Sequence, residues 1–496
     1  MTDRQIPIKK ILVSILVFIV SILMLQLLAI HNGFPLLMGD SKNYIWMGLH
    51  FTENSHWSNT YIYFIGKNIQ FFNTVQWVPI IQNCMILSIL FYLCHLMFAQ
   101  NKLLKYFVIV FGLIFTALPW ISNMIMSDIS TPICLLIIIT LVNYRVSLIQ
   151  AIPLYFGFIL LSSWHQSHIA IMPLFLIVAL IVKLIQERSI FRQQLRSIGL
   201  RIFPLLLLVI ASFIIEKHIL DKPAPPQKKR AAAANIENTT EVSSGYYFIG
   251  VRLWEVNELD NMLATFCPEH PDSYLCDPAN NYEIKVHLPK HQDRNQNNQN
   301  YIKQSLDNKE FIISCLPKPR FYYAMLKVVI KRSWNLLEHT KIRRYSPSVP
   351  NVPKQGNFNQ SFNKISKNEH KAFRNAQQLK GKYIGKFYPK YLMMDLLWWY
   401  GILPLVLLFA GYTWYRGNRQ KLLNKESWFL LLALPLAHLI NTVICATFSN
   451  DNNFRYSSRT VWLMNLAIIL LCIFVIEAKR KIQSSPDETN RTDTLS

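Results

Sequence analysis

Residues 11–30, ILVSILVFIVSILMLQLLAI, decide the fold because they form twenty positions without a charge. A helix of that length rises about 30 Å, which is the thickness of the hydrocarbon core of a bilayer. Lys9 and Lys10 precede the stretch, with Arg4 nearby, and such residues concentrate on the cytoplasmic side of membrane helices. No small-residue cleavage site follows, so the stretch predicts a retained anchor with a cytoplasmic N-terminus.

The composition also favours a lipid environment. Of the 496 residues, 52% are hydrophobic and 16% are charged, with a mean hydropathy of +0.21, whereas a soluble domain carries roughly 25% charged residues. A net charge of +23 would indicate nucleic-acid binding in a soluble protein. Here Lys and Arg flank the apolar stretches, where they meet anionic headgroups. We therefore expect membrane lipids, and no nucleic acid, as partners.

Nine further apolar stretches follow the first. The predicted fold class is an all-α polytopic membrane protein of about ten transmembrane helices, with a large extracytoplasmic insert between helices 7 and 8. The further spans are 77–98, 106–121, 132–144, 149–164, 168–185, 202–219, 392–414, 428–448 and 461–476.

The distribution of Lys and Arg orients these spans. Alternate connections are rich in both residues, as in 183–201, while the short connections between them hold few. This alternation predicts a multi-pass protein with both termini cytoplasmic. Because no eukaryotic retention signal is visible at the C-terminus, the expected location is a bacterial inner membrane. The predicted domains are an N-terminal membrane domain of about seven helices at 1–220, an extracytoplasmic domain at 221–391, about three membrane helices at 392–478 and a disordered cytoplasmic tail at 479–496.

Two features of the insert bear on its chemistry. Cys267 and Cys276 lie nine residues apart in CPEHPDSYLC, and on an oxidising face this spacing favours a disulfide. A metal site is the weaker alternative, because His270 is close but Cys315 is a distant fourth ligand. The segment 320–339, RFYYAMLKVVIKRSWNLLEH, predicts an amphipathic helix that either lies at the membrane interface or packs inside the domain.

Four clusters of polar residues fall at the external ends of the predicted spans. Their sequences are MGDSKNY, SNMIMSDIS, SSWHQSHIAIMP and SNDNNFRYSSR. Charged groups at this depth are costly unless they pair, face water or have a function. Because all four clusters fall on one face, they predict a single membrane-proximal site. The residues concerned are Asp40, Asp128, His165, His168, Arg455, Tyr456 and Arg459.

Each cluster also has a purely structural interpretation. Asp40 and Asp128 are suited to capping the helices that follow them. The two histidines are suited to hydrogen bonding between helices, and Arg455 to anchoring at the headgroup layer. The sequence leaves these alternatives open.

The motifs GDSKNY, MSDIS, HQSHIAIMP and NFRYSSR together resemble the GT-C superfamily of membrane glycosyltransferases, specifically an uncharacterised bacterial branch with a fold like that of protein mannosyltransferases. The resemblance covers the membrane portion, about two thirds of the chain. It implies transfer of a sugar, with inversion, from a polyprenyl-phosphate donor to a glycan, lipid or protein acceptor on the extracytoplasmic face.

The resemblance also implies roles for the residues in these motifs. Asp40 is the expected general base, and Arg455, with Tyr456 and Arg459, is expected at the lipid phosphate. Asp128 and the two histidines are expected to bind sugar hydroxyls or to steady the arginine. Many members carry paired acidic residues in the first loop, whereas Asp40 precedes Ser41. The motif therefore gives no support to a divalent metal, and no other cofactor is indicated.

Two other functional classes remain open. An O-antigen or capsule polymerase or ligase also joins lipid-linked glycans on this face, although such enzymes rely on external Arg and His clusters. A transporter or a non-catalytic membrane scaffold is the third class. Transporters place their coupling sites near the bilayer midplane, whereas these polar clusters lie at one face.

The charge asymmetry generates a topology prediction. Reporter fusions after Gln194 and after Arg419 are expected to be cytoplasmic, and a fusion after Ser273 to be external. Paired alkaline phosphatase and fluorescent-protein reporters measure both sides. A cytoplasmic Ser273 would invert the topology and move every proposed site residue to the wrong face.

Overall fold

The computed structural model describes residues 8–51, 58–98, 101–114, 116–186, 191–215, 252–253, 255–276, 309–338, 356–379, 424–448 and 455–484. These residues are almost entirely helical, and the one β feature among them is an isolated parallel bridge between Leu36 and Met124. They belong to two compact units. The first contains 1–222, 340–440 and 457–496, and the second contains 223–339 and 441–456.

The helices of the first unit begin and end as follows. In chain order they are α1 (Ile8–Asn32), α2 (Ser41–His50), α3 (Asn59–Phe72), α4 (Trp77–Met97), α5 (Lys102–Ile114), α6 (Leu118–Ser122), α7 (Ser130–Asn143), α8 (Leu148–Ser162), α9 (His168–Gln186) and α10 (Phe191–Ile214). The second unit contains α11 (Leu259–Phe266) and α12 (Pro319–Glu338). After these come α13 (Gly356–Ile365), α14 (Lys367–Asn375), α15 (Lys425–Phe448) and α16 (Arg455–Ser484).

The structure confirms a helical membrane protein. Five helices of the described chain are long and apolar enough to cross a bilayer, namely Ile11–Asn32, Trp77–Met97, His168–Gln186, Lys425–Thr447 and Arg459–Glu477. The first of them exposes Leu12, Leu16 and Leu27 at 58–60%, as a lipid-facing helix does. The total of ten spans remains a prediction, and the predicted span 392–414 lies outside the described residues.

The sequence predicted one span over 106–121, and this prediction is wrong because the structure has two helices there. Helix α5 ends at Ile114, and the short α6 begins at Leu118. Pro119 stands in the first turn of α6. Since proline has no N–H and clashes with the preceding turn, it favours a helix start at this point.

Helix α7 forms the centre of the first unit. All of its residues, from Ser130 to Asn143, are buried, and α4, α8, α9 and α10 pack against it. A helix that is apolar all round suits either lipid or a protein core, and in α7 the run ICLLIII is covered by protein. A 3-10 turn, Ser127–Ile129, leads directly into it. The packing of α7 therefore holds Asp128 at its N-terminal end.

Part of the insert packs on the first unit, at the end where α1 finishes. Gln378 N–H donates to Asn32 Oδ1 at 2.7 Å, and the Gln378 amide bonds both the N–H and the carbonyl of Leu37. Phe34 packs against Phe362 and Phe373 with ring centroids 5.2 and 5.9 Å apart. Helices α13 and α14 thus hold residues 32–37, immediately before Asp40.

The second unit has its own apolar core. Phe266, Phe311 and Phe321 are buried within it. Glu258 accepts hydrogen bonds from Arg320 at 2.9 Å and from Lys327 at 3.1 Å. These two cations lower the pKa of the Glu258 carboxyl to about 2. The ion pairs fasten α12 to the start of α11.

Cys267 and Cys276 are joined by a disulfide, with their Cα atoms 5.4 Å apart. His270, which lies inside the loop, stacks on Phe266 at a centroid distance of 4.3 Å. Cys315 is buried in the core as a free thiol. The two loop cysteines are therefore bonded to each other, and His270 packs on a ring of the core.

We expect loss of this disulfide to lower the free energy of unfolding of the second unit by about 2 to 3 kcal/mol, because a short closed loop restricts the unfolded chain. The double variant Cys267→Ser/Cys276→Ser, compared with Cys472→Ser as a control, tests the size of the effect in thermal unfolding. Non-reducing mass spectrometry of protein from its native membrane tests the bond itself, and two free thiols there would contradict it.

Candidate functional site

Three of the four predicted polar clusters meet at one end of the first unit. Asp128 stands before α7, His165 and His168 lie in the α8–α9 turn, and Arg459 lies in the first turns of α16. Arg459 Nη1 donates to Asp128 Oδ1 at 3.1 Å, and the two side chains are only 1% and 7% exposed. Residues 331 positions apart thus form a buried ion pair.

His165 and Ser167 close this pair into a ring. Arg459 Nη2 donates to Ser167 Oγ at 3.1 Å, and Ser167 Oγ lies 2.8 Å from His165 Nδ1. The Ser167 N–H also donates to His165 Nδ1, so Nδ1 is an acceptor and the neutral imidazole carries its proton on Nε2. That Nε2 lies 3.7 Å from Asp128 Oδ1. The ring therefore supplies Asp128 with a cation on one side and an N–H on the other.

His168 has a different role from His165. It is buried, with Nδ1 3.0 Å from the Ser162 carbonyl and Nε2 2.8 Å from Thr131 Oγ1. Since a carbonyl only accepts, Nδ1 carries the proton and Nε2 accepts from the threonine. His168 thus links α7, α8 and α9, which matches the interhelical interpretation left open by the sequence.

Neither aspartate caps a helix through its side chain. Asp40 occupies the N-cap position of α2, but its side chain makes no capping hydrogen bond and is partly exposed. The residue at the N-cap position of α7 is Ile129, while Asp128 binds Arg459. The capping alternative therefore explains neither carboxylate.

The backbone brings the loops of the two aspartates together. Leu36 N–H donates to the Asn123 carbonyl at 3.0 Å, and Ile125 N–H donates to the Leu36 carbonyl at 3.2 Å. Asp40 and Asp128 each follow this parallel bridge by four residues. The Tyr44 hydroxyl, one helical turn beyond Asp40, lies 2.9 Å from Ser127 Oγ. Asp40 thus shares this end of the unit with the buried ring.

A second polar layer, which the sequence did not predict, lies behind these loops. The Tyr61 hydroxyl donates to Gln82 Oε1 at 2.8 Å, and Gln82 Nε2 donates to the Met124 carbonyl at 2.9 Å. Tyr61 packs edge-on against Tyr44 with ring centroids 4.8 Å apart. The detectable signal was Gln82, an uncharged polar residue inside a predicted apolar span. Ser167 had no distinguishing signal.

Two of the predicted site residues, Arg455 and Tyr456, are described only in their backbone. Arg455 and Tyr456 begin α16, but their side chains lie outside the described residues. Arg455 precedes Arg459 by four positions in the sequence. Among the described side chains, no three His, Cys, Asp or Glu residues are grouped in a way that could hold a metal ion.

Replacing Arg459 with methionine is expected to lower the free energy of unfolding by about 3 to 5 kcal/mol, because Asp128 then stays buried without its counter-charge. The double variant Asp128→Asn/Arg459→Met is expected to recover part of that loss. Thermal unfolding of the detergent-purified protein measures both. Arg374→Met, which removes an exposed arginine, is the control, and equal stabilities for all three variants would contradict the pair.

Comparison with protein families, with characterised proteins and with solved structures finds no significant match to the chain. The resemblance to membrane glycosyltransferases therefore rests on the four motifs themselves. What the structure adds is the position of those motifs. Asp40, Asp128, His165 and Arg459, one residue from each motif, lie at one end of the first unit.

Proposed function

We propose that the protein is an inverting glycosyltransferase, which moves a sugar from a polyprenyl-phosphate donor to a glycan, lipid or protein acceptor at the extracytoplasmic face of a bacterial inner membrane. One observation carries the proposal. A partly exposed carboxylate, Asp40, and a buried Asp128–Arg459 ion pair with the neighbouring His165 occupy the same end of a membrane-embedded unit. Such polar groups are expensive to maintain beside lipid and indicate a site.

The reaction needs a base for the acceptor and cations for the departing phosphate. The acceptor hydroxyl attacks the anomeric carbon, and its proton passes to the Asp40 carboxylate. The bond between that carbon and the phosphate oxygen breaks, and the electron pair leaves with the polyprenyl phosphate. Attack from the face opposite the phosphate inverts the configuration of the sugar.

We propose different roles for the two aspartates because their surroundings differ. The Asp128 carboxylate is engaged by the Arg459 guanidinium, which leaves it less available to an acceptor hydroxyl. Asp40 is partly exposed and outside that ring. Asp40 is therefore the proposed base, and Asp128 is proposed to position Arg459.

We propose Arg455 as the main residue that binds the phosphate of the donor. The charge of Arg459 is already balanced by Asp128, whereas Arg455 is the first residue of α16. The N-terminal end of a helix attracts anions through its dipole and its unpaired N–H groups. Tyr456 and the partly exposed His165 are proposed to contact the donor at the same place.

Asp40→Asn tests the proposed base. Asparagine keeps the size of the side chain but cannot take up a proton, so we expect transfer to fall by about 10²-fold or more. The measurement is release of polyprenyl phosphate by the purified protein from a panel of polyprenyl-phosphate sugars, with mixed acceptors. Asp260→Asn, at an exposed position of the second unit, is the control and should keep full activity.

Arg455→Lys is expected to be impaired in the same assay, because a point charge replaces a planar fork at the phosphate. Unchanged melting temperatures would separate loss of chemistry from loss of folding. Near-full activity of Asp40→Asn would remove this residue from the mechanism. It would favour the polymerase or ligase class, for which the Arg459–His165 arrangement is the supporting observation, or a scaffold.

A further inference from the structure

Helix α12 buries one face in the core of the second unit. Phe321, Ala324, Val328 and Leu336 are at most 5% exposed. They recur at spacings of three, four and eight residues, which places them on one side of a helix. This face accounts for the packing role that the sequence predicted as one alternative.

The opposite face of α12 is apolar as well, but exposed. Its large side chains are 55–62% accessible, and they are Tyr322, Tyr323, Leu326, Ile330 and Trp334. At about 100° per residue these five positions fall within a sector roughly 120° wide. We call this sector the α12 stripe. A water-facing helix normally carries polar residues at such positions, and a contiguous exposed apolar patch marks an interaction surface.

Basic residues border the stripe along one edge. On the same helical geometry, Arg320, Lys327 and Lys331 follow Trp334 around the helix, between the stripe and the buried face. Two of them bind Glu258, while Lys331 donates to the Glu255 carbonyl. The three cations are only partly balanced by the single carboxylate of Glu258, so this edge carries a net positive charge. An apolar sector with Trp and Tyr beside a basic edge is the pattern of a helix that lies in a lipid–water interface.

A second observation connects α12 with the end of a helix that is long and apolar enough to cross a bilayer. Arg332, on the buried side of α12, donates from Nη1 to the carbonyl of Ala446 at 2.9 Å. Ala446 lies in the last turn of α15, whose residues Lys425–Thr447 are long and apolar enough to cross a bilayer. The helix is therefore fastened to the point at which a membrane-crossing helix ends. A cation at this point also suits the negative end of the α15 dipole.

We infer that the α12 stripe binds the lipid leaflet itself, lying parallel to the membrane surface. Leu326 and Ile330 reach the acyl chains, and the rings of Tyr322, Tyr323 and Trp334 lie at the headgroup level, where such side chains concentrate. The basic edge faces the lipid phosphates. This inference does not depend on the proposed glycosyltransferase activity.

Photocrosslinking of the full chain in phospholipid vesicles tests the inference. p-Benzoylphenylalanine in place of Ile330 is expected to yield about tenfold more lipid adduct than the same probe in place of Glu269, since interfacial binding follows buried apolar area. Glu269 is an exposed position of the same unit, away from the stripe. The adducts are identified by mass spectrometry.

Two outcomes would overturn the inference. Crosslinks from position 330 to the chain itself, such as residues 392–414, or to a second copy would show that protein covers the stripe. Equal, low lipid labelling at both positions would show that the stripe faces water. An intact Cys267–Cys276 bond verifies folding of each variant, and the probe in place of Tyr323 repeats the test if the Ile330 variant does not fold.

Discussion

The ion pair between Asp128 and Arg459 is the interaction on which the arrangement of the site depends. Burying two charges is unfavourable unless the geometry is good and the remaining donors are satisfied. Here Ser167 and His165 bind the pair on its other side. Because the pair joins the start of α7 to the start of α16, two segments distant in sequence are held at one level. The turn before α9 is held there through Ser167.

Helices α2 and α3 pack closely at the same end of the first unit. Helices α2 and α3 meet at Gly48 and Gly66, where a Cβ on Gly48 would lie 2.9 Å from the backbone nitrogen of Gly66. No side chain fits between the two backbones at this crossing. Tyr44 and Tyr61, one turn earlier on the two helices, are thereby brought into ring contact. The position of Asp40 at the start of α2 depends on this packing.

The insert contributes to the same region through contacts that cross 294 to 341 residues of sequence. Gln378 bonds the backbone of Leu37, and the Glu369 carboxylate accepts from Thr74 and from the backbone of Val75. Burial raises the pKa of the Glu369 carboxyl. Residues 356–379 belong to the first unit rather than to the compact unit that holds the disulfide. The insert is therefore divided between the two units. Its part in the first unit, 356–379, contacts the loop that leads to Asp40.

The sequence by itself determined the membrane class, the helices around the long apolar runs and the residues of the polar clusters. Hydrophobic length and period are local properties, so residues 11–30 or 77–98 identify a helix without reference to the rest of the chain. Only the tertiary structure decided which polar residues pair. The separation of Asp128, bound to Arg459, from the partly exposed Asp40, and the assignment of His168 to helix packing, depend on contacts between distant segments. The exposed α12 stripe was likewise undecidable from sequence, because both faces of that helix are apolar and only packing selects the one that is buried.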